Sequence, residues 1–371
     1  MEIKKMKNIK KSNNMPKVPT LDHTAFSDAL FLDIETTGFS AARNHLYLIG
    51  TAYIQNGVLI TEQFFAETPQ EEPQLISALD RLFESFQTII TFHGTHFDLP
   101  FLKKRCNNLQ ICTTVYHNKN YVDLCTHARS YKHIFGLENY RQKTLETFLG
   151  FARKDPYSGG DLIQVYASYV KQPQEELLTL LLQHNLDDLT GMVRLLALAA
   201  YDHFFQGGFT PNACSVSTYR RMDGSQGKEL ILSCQIHEML PAAVSCKNDY
   251  YYLHAAKKQA VFSIPLLEST LKYFYTNYKD YYYLPQEDLA IHKSVASYVD
   301  TAHRQKAKAA NCYSKKTGYF LPQYEEVVTP ALYEEYKAKI SYFEWKEESC
   351  EDYEMWKRYG MHVLDVLKSG K

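Results

Sequence analysis

Two apolar runs, His45 to Ile54 and Val58 to Phe65, are joined by Gln55-Asn56-Gly57, and this junction constrains the fold more than any other feature. Asn-Gly accepts the positive φ angles that a tight hairpin turn of the right twist demands. A third apolar run, Leu30 to Ile34, precedes the pair. The chain is therefore read as opening with three consecutive strands, antiparallel to one another. Glu71 to Phe86 then repeats its apolar residues at helical spacing, with Leu75, Ile76, Leu79, Leu82, Phe83 and Phe86 on one face. A strand over Thr88 to Phe92, a helix from about Phe97 to Cys106 and a strand over Tyr121 to Leu124 follow. Helical patterns come next at Thr144 to Leu149, Leu162 to Val170 and Glu175 to Ala200, the last with a break expected near His184.

A chain of 371 residues has room for two cores. Hydrophobic residues at 45% and charged residues at 22% describe a globular protein, with no apolar run of membrane-spanning length. A net charge of −1 means that any polyanion must be held by a local patch. The eight cysteines (Cys106, Cys112, Cys125, Cys214, Cys234, Cys246, Cys312, Cys350) include no CxxC pair and no zinc spacing, so they are read as free thiols of a cytoplasmic protein. Residues 1–20, with Lys4, Lys5, Lys7, Lys10, Lys11 and Lys17, read as a disordered basic arm. A first domain is expected over 21–203. Gly207, Gly208, Pro211, Gly224 and Gly227 suggest a linker over 204–228. A smaller C-terminal α+β domain is expected over 229–371, with strands at Glu229 to Ile236, Tyr250 to Leu253 and Ala260 to Ile264, and helices at Leu289 to Ala310 and Thr329 to Tyr342.

The chemistry-bearing residues come in three groups. Asp33 and Glu35, in FLDIETTG, share one strand face because side chains at i and i+2 point the same way. Adjacent carboxylates repel, and a divalent cation between them relieves the repulsion. Asp98, in TFHGTHFDLP, falls where a strand turns into a helix; alone it reads as an N-cap. His184 and Asp188, in HNLDD, lie four apart on one helix face, whereas Asp187 is turned about 100° away. Each segment alone has an ordinary surface reading. Together they offer four acids and a histidine.

Three strands, then alternating helices and strands, is the element order of a ribonuclease-H-like sheet: an α/β mixed sheet flanked by helices. The set Asp33, Glu35, Asp98 and Asp188, with His184 before the last, resembles the four acids and auxiliary residue of DEDD exonucleases. FLDIETTG, LYLIG, TFHGTHFDLPFL, DLCTHAR, KTLETFLGFARKD and HNLDDLTGMVRLL resemble the bacterial YprB-type ribonuclease-H-like proteins over residues 28–200. The histidine branch of that superfamily usually places its histidine one residue further from the last acid; His184 stands at the spacing of the tyrosine branch.

The resemblance implies a 3′–5′ exonuclease acting on a single-stranded end of DNA or RNA through two Mg²⁺ or Mn²⁺ ions. Asp33 would bridge the ions. Glu35 and Asp188 would hold the one that activates water, Asp98 the one at the leaving oxygen, and His184 would take or orient the proton. An endonuclease of the same fold, or an inactive nucleic-acid-binding module, is the alternative. A helicase partner is compatible with the family.

Three further features are weighed. Lys293, Arg304, Lys306, Lys308, Lys315 and Lys316, interleaved with Tyr298, Tyr313, Tyr319 and Phe320, form either a single-strand patch or a solvated helix face. Arg153 and Lys154 could line a phosphate path or be surface charge. His93, His96, His127 and His133 lack zinc spacing and are read as structural, with His93 a possible neighbour of the site.

Overall fold

The computed structural model describes residues 6–14, 26, 28–111, 118–151, 153, 156–220 and 223–371. The chain forms two compact units, Met1–Lys132 with Leu137–Ala200, and His133–Gly136 with Tyr201–Lys371. None of the described helices is long and apolar enough to cross a membrane.

In the first unit, β1 (Lys7–Asn13), β2 (Ala29–Thr36), β3 (Leu46–Gln55), β4 (Val58–Phe65), β5 (Thr88–Thr91) and β6 (Asn120–Asp123) form one sheet in the order β1-β4-β3-β2-β5-β6. The pairs β2/β3, β3/β4 and β1/β4 are antiparallel, while β2/β5 and β5/β6 are parallel. The β3–β4 hairpin turns at Asn56 (φ 52°) and Gly57 (φ 74°), as Asn-Gly predicts. Except for Gln55, every residue of β3 is buried, because both faces of the sheet are covered.

On one face lies α1 (Glu72–Phe83) with Leu75, Ile76, Leu79 and Phe83 against Leu30, Leu32 and Ile34 of β2. Each such fully buried side chain contributes on the order of 1.5–3 kcal/mol. Next in the chain are α2 (Asp98–Leu109), α3 (Leu124–Arg129), α4 (Lys132–Phe135) and α5 (Gln142–Phe148). The opposite face is covered by α6 (Gly159–Lys171) and α7 (Glu175–Leu195), whose Leu162, Tyr166, Tyr169, Leu178 and Leu181 pack on Tyr47, Leu48 and Phe65. The expected break near His184 is absent: α7 runs through it.

The basic arm requires a correction. Lys7–Asn13 pairs with β4 in unbroken register from Lys7↔Phe65 to Asn13↔Leu59. Ile9 packs against the sheet core, and Lys7 and Lys10 reach Glu67 at 2.9 Å and Glu62 at 3.3 Å. Lysine on an edge strand also discourages further strand pairing. Lys4, Lys5, Lys17, Cys112 and Lys154 lie outside the described residues.

Besides His133–Gly136, the second unit takes the chain from Tyr201 onward, within α8 (Ala199–Phe205). The 204–228 linker is overturned: β7 (Phe209–Arg220) and β8 (Gln226–Ile236) form a long hairpin there. Its glycines and serines sit in and beside strands, where cross-strand bonds override weak local propensity. The remaining elements are β9 (Val244–Lys247), β10 (Tyr252–Ala256), β11 (Gln259–Phe274), β12 (Tyr281–Leu284), β13 (Leu289–His292), α9 (Lys293–Ala296), β14 (Gln305–Lys306), β15 (Tyr313–Gln323), β16 (Ser341–Glu344) and α10 (Tyr353–Ser369).

Helices expected at 289–310 and 329–342 are also overturned. The first becomes β13, the four-residue α9 and β14, tied by Tyr282↔Lys306 and Tyr281↔His292 pairing. The second is anchored by bridges Lys272↔Tyr333 and Leu332↔Tyr342. Tertiary pairing has outweighed helix propensity in both. Helix α10 was not expected from the sequence. It buries Trp356, Tyr359, Val363 and Leu367, and its Gly360 lets the Phe209 ring approach. The described cysteines are free; Cys214 and Cys350 bring their sulfurs to 2.7 Å.

Candidate metal centre

Strand periodicity decides which face of the sheet carries the acids. Leu30, Leu32 and Ile34 point to the α1 face, so Asp33 and Glu35 must point to the other, where α7 crosses. There His184 Nε2 lies 3.2 Å from Asp188 Oδ2 and 3.8 Å from Glu35 Oε1. Glu35, His184 and Asp188 each offer a ligand atom within 4.8 Å of the other two. Asp187 is turned away and accepts from Gln183 at 2.8 Å.

Asn185, not singled out from the sequence, ties the two elements together. Its Nδ2 donates to Asp33 Oδ2 at 2.7 Å, and its Oδ1 accepts from Gln63 Nε2 at 2.8 Å. Asp33 pairs with Gly50 across β2/β3, and a Cβ on Gly50 would fall 2.0 Å from Asn185 Oδ1. Glycine in LYLIG therefore makes room for the amide.

Asp98 is the first residue of α2. Phe97, not Asp98, is the N-cap residue, and Asp98 Oδ1 accepts the Ile34 backbone N–H at 3.1 Å, beyond the end of β5. The preceding loop is held by Asp123, which accepts from His93 N at 3.0 Å, Thr95 N at 3.2 Å and Thr95 Oγ1 at 2.6 Å. This fixes His93 at φ 61° and stacks its exposed ring on His96, centroids 5.2 Å apart. Asp123, the first residue of DLCTHAR, was not singled out from the sequence, although it stands at the end of strand β6.

The electrostatics follow from crowding. Burial raises the Asp33 carboxyl well above its ordinary range, and the charges of Asp188, Glu35 and Asp98 raise it further. Burial, reinforced by Asp123 and Asp188, lifts Asp98 to about 7 against the pull of the Ile34 N–H. Asp188 behaves oppositely: burial pushes its pKa up, but His184 and Arg153 outweigh that and hold it low. Asp123 is likewise held low, since its hydrogen bonds from Thr95, Thr126 and His93 overcome burial. The buried Tyr47 hydroxyl has no hydrogen-bond partner among the described residues, and its pKa is raised by burial and then by Glu35.

Oxygen donors crowded enough to raise the pKa of Asp33 and Asp98, beside an imidazole, suit a hard divalent cation. Glu35, Asp188 and His184 could hold one ion, and Asp33 and Asp98 contribute to the same field.

Arg153 fits neither reading made of it. Its side chain is 6% exposed; it clamps Glu146 and reaches Asp188 Oδ1 at 2.5 Å. In the second unit, Lys315 pairs with Asp288, Lys316 with Glu344 at 2.7 Å and Lys293 with Asp280 at 3.6 Å. Tyr313 and Phe320 are buried. The basic run is thus partly neutralised by acids distant in sequence, and it is not one helix face.

Residues 30–200 match the family model of the RNase_H superfamily. A search of curated proteins found no match. Among solved structures, the family B DNA polymerase of the hyperthermophilic archaeon Pyrobaculum calidifontis aligns at 16% identity and TM-score 0.38, over 47% of this chain and 24% of the polymerase. Exonuclease I aligns at 14% identity and TM-score 0.29, over 56% of each chain. The zinc-bound complex of E. coli exonuclease I with single-stranded DNA aligns at 15% identity and TM-score 0.27, over 56% of this chain and 54% of that one. The chain thus spans a quarter to little more than half of these proteins. The sheet order and the family match agree: this is a ribonuclease-H-like α/β fold, a mixed sheet with helices on both faces, followed by an additional sheet-rich unit.

Proposed function

We propose that the first unit is a metal-dependent nuclease of the DEDD kind, removing nucleotides from a single-stranded 3′ end of DNA or RNA with two Mg²⁺ or Mn²⁺ ions. One observation carries the reading: Glu35 from β2 meets His184 and Asp188 from α7, with the charges of Asp188, Glu35 and Asp98 close enough to raise the pKa of Asp33. The 3′–5′ direction rests on the resemblance of the acidic motifs.

Asp33, Glu35, Asp98 and Asp188 would hold the ions. The bound ions would supply an acidified water and offset charge on the pentacovalent phosphorus. Asn185 keeps Asp33 from rotating, and the Ile34 N–H does the same for Asp98. His184 sits 5% exposed, with Nε2 facing Glu35 and Asp188. It can accept a proton there or serve as a ligand. α6 begins at Gly159, where a Cβ would stand 3.9 Å from Glu35 Oε2.

The test is an end-labelled oligonucleotide ladder with Mg²⁺ or Mn²⁺, using single-stranded and duplex DNA and RNA. Stepwise shortening from the 3′ end is expected. Internal cuts would replace this reading by an endonuclease, and intact strands under every condition would leave a binding module.

A further inference from the structure

Arg153 is a buried cation, and each of its three guanidinium nitrogens donates a hydrogen bond. Nε and Nη2 donate to Glu146 Oε2 and Oε1 at 2.7 and 2.6 Å, and Nη1 donates to Asp188 Oδ1 at 2.5 Å. Glu146, 1% exposed, lies on α5. Gln142, one turn earlier, donates to Glu146 Oε1 at 3.0 Å and to the Asp188 backbone carbonyl at 2.7 Å. Gly191 of α7 permits this approach, since a Cβ there would stand 2.0 Å from Glu146 Oε1. Buried ion triads contribute little net stability, because desolvation offsets the attraction. Here the triad instead specifies position: Glu146 orients Arg153, and Arg153 orients Asp188.

The orientation has a chemical consequence. Asp188 Oδ1 is occupied by the guanidinium, while Oδ2 faces His184 Nε2. A carboxylate held this way has one oxygen left for a cation. Ca²⁺ takes six to eight oxygens and accepts bidentate carboxylates, whereas Mg²⁺ demands near-octahedral single-oxygen ligation.

We propose that Arg153 is a positioning residue that limits Asp188 to one metal-facing oxygen, so that the centre selects a small octahedral cation over Ca²⁺. The proposal rests on the reading that Asp188 is a metal ligand. It assigns to Arg153, through Glu146, control over which ion is held.

The test reads metal binding without nucleic acid. Mn²⁺ is titrated into the full chain and the free ion is followed by electron paramagnetic resonance, with Mg²⁺ and Ca²⁺ as competitors. Glu146→Gln/Arg153→Met removes one negative and one positive charge together, so net charge is unchanged, and Asp188 keeps His184 at 3.2 Å as its remaining partner. It should improve Ca²⁺ competition relative to Mg²⁺ by about 5- to 10-fold. Arg153→Lys keeps a cation against Glu146 and so protects the fold, but it lacks the fork; a smaller shift in the same direction is expected. An unchanged Ca²⁺/Mg²⁺ ratio in either variant that retains its circular dichroism, a wild-type preference for Ca²⁺, or no Mn²⁺ binding by the wild type would overturn the proposal. Cleavage of oligonucleotides with an unchanged ratio would remove only the role of Arg153. A shifted ratio in a chain that cuts nothing would remove only the nuclease reading.

Discussion

Asp98→Asn should stabilise the metal-free protein, and the gain should grow as pH rises from about 4 to about 7. Burial lifts the Asp98 carboxyl from 3.8 to about 7 in the folded chain. The folded state therefore binds a proton that the unfolded state has lost between those values. Stability falls with pH wherever the folded state binds more protons, so the penalty is absent below pH 3.8 and complete above about 7. Its full size is about 4 kcal/mol. The nearby Asp33 is raised as well, so part of that penalty belongs to the pair, and about 2–4 kcal/mol is the gain expected of the substitution. An asparagine side chain can still accept the Ile34 N–H through Oδ1, which isolates the charge from the hydrogen bond. For a unit of this size, about 2–4 kcal/mol moves the melting temperature by roughly 5–15 °C. The assay is thermal unfolding in chelator at several pH values, monitored on the transition of the first unit. Wild type should melt progressively lower from about pH 5 to about pH 7.5, and the Asp98→Asn variant should show a shallower decline. Added Mg²⁺ should flatten the wild-type slope, since the cation replaces the proton. Parallel wild-type and variant slopes would refute the claim that Asp98 is forced to ionise against burial. Asp123 and Asp188 are shifted the other way, so their contributions are lost as pH falls rather than as it rises.

The remaining predictions concern the site and its supports. Asp33→Asn or Asp188→Asn should abolish hydrolysis while circular dichroism stays native; full activity in either purified variant would remove that acid from the site. Gly50→Ala drives a Cβ to within 2.0 Å of Asn185 Oδ1 and should displace the amide from Asp33, lowering activity at least about tenfold, measured on the same oligonucleotide ladder. Glu146→Ala takes the partner of Nε and Nη2 from the buried Arg153, leaving it Asp188 alone, and should cost about 3 kcal/mol in denaturant unfolding. Removal of residues 1–14 bares the β4 edge; a lower melting temperature and association in light scattering are expected, and a stable monomer would contradict the strand assignment.

What could be read from the chain divides by the range of the interaction that decides it. The β3–β4 hairpin, the α1 face and the spacing of Asp33 with Glu35 or His184 with Asp188 are local, and local periodicity reveals them. β1 is different: a short run of lysine, asparagine and serine becomes a strand only because β4 offers it an unpaired edge and acids for its lysines. In the second unit, alanine and lysine at 289–310 favour a helix on propensity, but pairing of Tyr282 with Lys306 decides otherwise.

The same division runs through the site. The acids announce themselves by type, because clustered carboxylates need a reason. Their positioning partners do not, since an asparagine in mid-helix looks like any polar surface residue until it meets an aspartate 152 positions earlier. Glu146 and Arg153, read along the chain, are ordinary helix and loop charges; only the close approach permitted by Gly191 turns them into one device with Asp188. The number of oxygens Asp188 can present is consequently a property of the packing between α5 and α7. Another chain with the same four acids but a Cβ at the position of Gly191 could not bring its glutamate this close. It would have to hold the last acid differently, so the acidic motif alone does not determine which cation such a centre prefers.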